Sequence, residues 1–133
     1  LPLHTEGLIA CRELASRGIK TNVTLCFSVA QAAVTALSGA TYISPFVGRL
    51  NDNSVSGVEL IRAISGLYCT QGQRTKILAA SLRDVHHVSR CLLYGASVVT
   101  VPVGVFDKMY KHVLTDVGLD IFEQDFKEIN ERN

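Results

Sequence analysis

Four times along this chain a glycine is followed by a short β-branched stretch and then by a polar cluster ahead of the next helix. The four stretches run over residues 18–24, 39–46, 72–83 and 95–102. Their strands end in Asn22 and Thr24, Ser44 and Phe46, Ser81 and Arg83, and Thr100 and Pro102. Strands separated by helices with short connections demand parallel pairing and right-handed crossovers. In such folds ligands sit at the carboxyl ends of the strands. The polar strand ends therefore nominate one site.

The intervening segments read as helices. Residues 5–17 place Leu8, Cys11, Leu14 and Ala15 on one face, and Gly18 stops them. Ser28 with Gln31 and Ser56 with Glu59 form capping boxes, and Asp84 is an N-cap for a helix that reaches Tyr94. Residues 49–54 read as a polar loop, 105–111 as a short helix, and 116–129 as a last helix with Leu119, Phe122, Phe126 and Ile129 turned inward. The order αβαβαβαβα admits two architectures, half of a (β/α)8 barrel or a small doubly wound sheet. No GxGxxG or GxxxxGK[ST] follows a strand, which counts against a nucleotide-binding sheet.

Composition narrows the function classes. A net charge of +1 over 133 residues gives no general attraction to nucleic acid or membrane, and the absence of Trp disfavours a base-stacking surface. No apolar run reaches membrane-span length. Cys11, Cys26, Cys69 and Cys91 form no CxxC pair and have apolar neighbours, so they read as buried free thiols in a reducing, cytoplasmic setting. His86 and His87 are adjacent on a helix and face different ways, so no metal site is expected. The apolar opening Leu1-Pro2-Leu3 reads as the tail of a strand already under way, so the chain is expected to begin inside a larger protein.

Arg49, Ser81 and Arg83 lie at neighbouring strand ends. Guanidinium forks match phosphate oxygens, and the helix after Arg83 would add its N-terminal dipole and N–H groups. The opposing reading is a set of solvated loop arginines. Asn22 and Thr24 alternate on one strand and point to the same side, either as a hydrogen-bonded internal pair or toward a ligand. Ser44 and Phe46 are related in the same way, with core packing the default for Phe46. No carboxylate pair stands out for acid–base work.

Three blocks make the chain resemble a known family: residues 21–28 (TNVTLCFS), 44–50 (SPFVGRL) and 79–83 (AASLR). Together with the turn at 114–119 and a final helix bearing Phe122, Asp125 and Phe126, they resemble the transaldolase family in its short form, a branch that also holds the fructose-6-phosphate aldolases. The resemblance implies a (β/α)8 TIM barrel, with residues 1–133 supplying the end of strand 4 through strand 8 and the C-terminal helix of a single domain. It implies transfer of a dihydroxyacetone unit between sugar phosphates through a Schiff base on a strand-4 lysine, in the pentose phosphate pathway, with no metal or organic cofactor.

Residue by residue, the resemblance implies that Thr24 holds the catalytic water and that Asn22 contacts the Schiff-base adduct. Ser44 and Phe46 line the sugar pocket; Arg49, Ser81 and Arg83 bind phosphate. Phe46 favours transaldolase, because the aldolases tend to carry Tyr there. The family's lysine immediately precedes a Leu-Pro-Leu stretch, so it lies outside this sequence. Lys20 and Lys76 sit at the wrong ends of their strands to replace it, and His4 stands where relatives usually have Thr. The chain by itself is then expected to be inactive, with the N-terminal half of the barrel as its missing partner. A homo-oligomer is implied, with the C-terminal helix packed on a neighbour or on its own barrel. The alternatives are a fructose-6-phosphate aldolase-type lyase and a non-catalytic half-barrel that binds a sugar phosphate.

Overall fold

A computed structural model describes residues 1–131. The helices are α1 (Thr5–Ser16), α2 (Val29–Leu37), α3 (Val47–Asp52), α4 (Gly57–Gln71), α5 (Val85–Leu93), α6 (Val103–Met109) and α7 (Val113–Glu131); the strands are β1 (Asn22–Cys26), β2 (Tyr42–Pro45), β3 (Lys76–Ala79) and β4 (Val98–Val99). Residues 1–102 form one compact unit and the residues from Val103 onward a second.

The sheet of the first unit is parallel throughout, with spatial order β1-β2-β3-β4. Each strand lies beside its predecessor in sequence. A doubly wound sheet has a point where that order reverses, and none occurs among the described strands, an order consistent with an arc of a barrel. Residues 1–3 extend the arc: Pro2 bridges Thr24 in parallel, with Thr24 N–H donating to Leu1 O and Leu3 N–H to Thr24 O. The opening tripeptide is thus extended and paired with β1.

Register explains the core. Val23 pairs with Ile43, and Ile43 with Ile77, so the three share one face of the sheet. All are buried, as are Ile61 and Ile64 of α4. α4 packs against β2 and β3 as well as α2, α3 and α5. Tyr68 ties the helical layer together, its hydroxyl donating to Ala32 O at 2.8 Å. Asn22, Thr24 and Ser44 alternate onto the other face of the sheet.

The caps form as read. Ser28 Oγ accepts from Gln31 N–H while Gln31 Oε1 accepts from Phe27 N–H; Ser56 Oγ accepts from Glu59 N–H, and Asp84 Oδ1 from His87 N–H. Four features differ from the expectations. The loop predicted at 49–54 is largely helix α3, because its first two N–H groups bond to the next strand rather than to a cap. Asn22 begins β1 instead of ending it. Cys69 is exposed, while Cys11, Cys26 and Cys91 are buried. Finally, Leu119, Phe122, Phe126 and Ile129 are 59–70% exposed rather than inward; periodicity fixes that a helix has an apolar stripe, not what covers it.

Candidate active site at the carboxyl ends of the strands

The site is assembled where β2 and β3 end. Phe46 bridges Ala80 in parallel just past the two strands. Val47 N–H then donates to Ala80 O and Gly48 N–H to Ser81 O, both at 3.0 Å. These bonds satisfy two donors at the start of α3, whose N-cap Phe46 offers no side-chain acceptor. The approach requires glycine: a Cβ at position 48 would lie 2.2 Å from Ser81 O. Arg49 follows at once. Arg49, Ser81 and Arg83 therefore share one rim although more than thirty residues separate the first from the others.

Ser81 has φ +59°, a left-handed conformation that costs a non-glycine residue about 1–2 kcal/mol. The turn aims its carbonyl at Gly48 and buries Leu82, which is 1% exposed. Leu25 is likewise left-handed, φ +68°, at a bulge between Thr24 and Cys26. The bulge lets Val23 and Cys26 both be buried while Thr24 stays on the site face. Backbone strain of this kind concentrates at functional sites.

The side chains divide by what they touch. Thr24 and Ser44 are register partners on β1 and β2. Ser44 donates to Asn22 Oδ1 at 2.8 Å, so Asn22 joins the site one layer deeper than the strand ends. Phe46 carries the Arg49 guanidinium 4.9 Å above its ring centroid and meets the Phe27 ring at 6.0 Å, edge on. Phe46 is thus a half-buried wall rather than core. Among the described residues, the Thr24 and Ser81 hydroxyls and the Arg49 guanidinium form no hydrogen bond or ion pair. Arg83 is engaged with Asp52, Nη1 to Oδ1 and Nη2 to Oδ2 at 2.5 and 2.7 Å. Its hydrogen bond and charge hold the Asp52 carboxyl below the usual carboxylate range.

A cavity of about 400 Å3 opens between the ends of β3 and β4, lined by Ser81, Leu82, Arg83, Thr100, Val101 and Pro102. Guanidinium and hydroxyl donors converging on an open cavity suit an oxyanion, phosphate above all. One anticipated contribution is absent. The N-terminus of α5 is not an open anion site, because Asp84 already accepts His87 N–H at 2.8 Å. That bond, with the neighbouring imidazoles, keeps the Asp84 carboxyl ionised below its ordinary range.

Sequence reasoning did not single out Gly48, Asn51 or Asp52 as builders of this rim. Asn51 Oδ1 accepts from Gly57 N–H at 2.9 Å, and its Nδ2 lies 3.3 Å from His87 Nε2. It ties α3 to α4 and α5 at once. His87 is bonded to Asp84 through Nδ1, and His4 caps α1 through Nδ1. No group of three or more metal-ligating side chains occurs among the described residues.

Two cavities at the amino rim, of about 310 and 520 Å3, share Gln73, Arg74 and Thr75. There Thr75 Oγ1 donates to Ala40 O at 2.8 Å and is not open to a ligand.

The sequence pattern of the Transaldolase/Fructose-6-phosphate aldolase family matches residues 1–133. A relative named "Probable transaldolase" from Caulobacter vibrioides is 53% identical over 126 residues, covering 95% of this chain and 58% of its own length. Another of that name, from Brachyspira hyodysenteriae, is 49% identical over 129 residues, covering 97% of this chain and 59% of its own. The chain thus spans under two thirds of the length of these relatives. Among solved structures it is similar to a mandelate oxidase mutant (TM-score 0.54, 19% identity, 71% of this chain and 28% of that one). It is also similar to FabK from Thermotoga maritima (TM-score 0.53, 17% identity, 72% and 30%). At those identities the likeness is one of fold alone.

Proposed function

This chain belongs to the Transaldolase/Fructose-6-phosphate aldolase family, and on that premise we propose that it is part of a transaldolase that moves a dihydroxyacetone unit between sugar phosphates in the pentose phosphate pathway. In this reading residues 1–133 belong to one (β/α)8 barrel, which the N-terminal half of the enzyme completes. The donor ketose phosphate forms a Schiff base with a lysine outside this chain. Its C–C bond breaks, the electron pair passes to the iminium, and the enamine attacks an aldehyde acceptor. The iminium is the electron sink, so the chemistry calls for no cofactor.

The observation that carries the reading is the row of unengaged polar groups along adjacent strand ends. Thr24 would hold the water, Asn22 would contact the adduct with Ser44 bonded to it, and Phe46 would form the apolar wall. Arg49, Ser81 and Arg83 would take the phosphate. The five lysines support an external nucleophile. Lys20 is exposed ahead of β1, Lys76 is the exposed first residue of β3, and Lys108, Lys111 and Lys127 fall at or after α6. The exposed apolar residues of α7 support a homo-oligomer. Free thiols support a cytoplasmic setting, and no described helix is long and apolar enough to cross a membrane.

The test joins this chain to the amino-terminal remainder of the Caulobacter relative and treats it with fructose 6-phosphate and borohydride. A reduced adduct in the added segment is expected, with Arg49→Ala and Arg83→Ala each weakening fructose 6-phosphate binding. An adduct on one of this chain's own lysines, or unchanged affinity in both variants, contradicts the reading. The second reading is an aldolase that releases dihydroxyacetone. Phe46, without a hydroxyl against the adduct, favours transfer, and release as fast without acceptor as with erythrose 4-phosphate would reverse that preference.

A further inference from the structure

Asp52 has no part in the chemistry just described, yet it meets Arg83 fork to fork. A guanidinium carries five N–H donors in one rigid plane. The carboxylate takes one donor from each Nη, at the end of the fork. The Nε edge is left over, and it lies beside Gly48. A Cβ built on Gly48 would lie 3.1 Å from Arg83 Nε and 2.9 Å from Ser81 Oγ. The free edge and the free hydroxyl therefore both lie beside the Gly48 backbone, and their residues line the same 400 Å3 cavity.

Both partners of the pair are about half exposed, with side-chain exposures of 55% for Arg83 and 50% for Asp52. An ion pair so placed adds little to fold stability. What two parallel hydrogen bonds do supply is orientation: they hold a flexible side chain in one plane. A side chain already ordered loses less freedom when it binds.

We propose that Asp52 is a positioning residue. It holds the end of the Arg83 fork so that the Nε edge and Ser81 Oγ are presented together to a phosphate monoester. This rests on the carboxyl rim being the phosphate site. The opposite role is that Asp52 occupies Arg83 until phosphate displaces it. The two differ in sign: removing a competitor tightens phosphate binding, whereas removing a positioner weakens it even though a negative charge is lost.

The experiment titrates the 133-residue chain with inorganic phosphate and follows the Arg83 Nε–Hε resonance. It compares the unmodified chain with Asp52→Ala, Asp52→Glu and Arg83→Ala, with urea midpoints measured alongside to confirm folding. The unmodified chain should show a phosphate-dependent Nε shift. Asp52→Ala should keep its midpoint, lose the ligand-free Nε position and bind phosphate about tenfold more weakly, the scale of one oriented charge-assisted hydrogen bond. Asp52→Glu should recover part of that loss. Equal or tighter binding by Asp52→Ala, while the unmodified chain still responds, overturns the positioning role alone. No response in the unmodified chain, with Arg83→Ala indistinguishable from it, brings down the phosphate site and this inference with it.

Discussion

The two ends of the sheet use the same residue types for opposite purposes. At the amino ends the threonine hydroxyls serve the backbone and the core. Thr75 Oγ1 donates to Ala40 O, Thr41 Oγ1 accepts from Thr21 N–H, and Thr21 Oγ1 lies 3.3 Å from Cys11 Sγ. At the carboxyl ends Thr24, Ser81 and Arg49 have no such engagement among the described residues, and Arg83 is bound at one end of its fork.

Backbone strain divides in the same way. Gly18, Gly39, Gly72 and Gly95 enter the four strands at φ between +61° and +104°, where glycine adopts the left-handed region without steric cost. Leu25 and Ser81 adopt it at the carboxyl ends, where a side chain makes it costly. At one rim glycines take the left-handed backbone and the threonine hydroxyls are bonded. At the other, Leu25 and Ser81 take it, and the Thr24 and Ser81 hydroxyls form no hydrogen bond among the described residues.

The largest expected effect comes from forcing a side chain into the carboxyl rim. Gly48→Ala drives a Cβ into Ser81 O, and urea unfolding should show a loss of about 3 kcal/mol, together with loss of the phosphate response. Gly72→Ala at the amino rim meets no atom within 4 Å and has only its φ of +61° against it. It should cost about 1 kcal/mol and leave phosphate binding unchanged. Equal effects of the two substitutions would break the comparison.

Ser81→Gly sharpens it further. Relief of the left-handed serine should stabilise the chain by about 1 kcal/mol, while loss of the hydroxyl weakens phosphate binding. Stability and binding then move in opposite directions at a single position. Binding that holds or improves in this variant would remove Ser81 from the site.

The smallest expected effects lie away from both rims. Burial pushes the Cys26 and Cys91 thiols up to about 11, so in the unfolded chain they ionise at lower pH than in the folded one. Their contribution to stability is complete below the ordinary thiol range near 9 and is lost as pH rises toward 11. At pH 8 a thiol reagent should modify exposed Cys69 quickly and the buried pair only on unfolding, as read by mass. Rapid modification of Cys91 would show a looser helical layer than the burial implies.

What the sequence discloses and what it withholds follow from range. The strand-entering glycines and the Ser28 and Asp84 caps depend on neighbours a few positions away, and each is legible. Helix α3 is not, because residues 49–54 carry no apolar period and the bonds that start the helix come from Ala80 and Ser81. The Asp52–Arg83 pair joins residues 31 positions apart, and nothing local marks Asp52 as a partner. The nominated polar residues do gather on one rim, except that Asn22 lies a layer deeper. The apolar stripe of α7 is legible as a stripe, and its exposure is not.

The central claim is that the carboxyl rim, not the basic cavities at the amino rim, receives a sugar phosphate. Amide hydrogen exchange of this chain with and without fructose 6-phosphate tests it most directly. Slowed exchange at Gly48, Arg49, Leu82 and Arg83, with Arg74, Thr75 and Lys76 unchanged, is the predicted result. Protection at Arg74, Thr75 and Lys76 with the carboxyl rim unaffected would contradict the account.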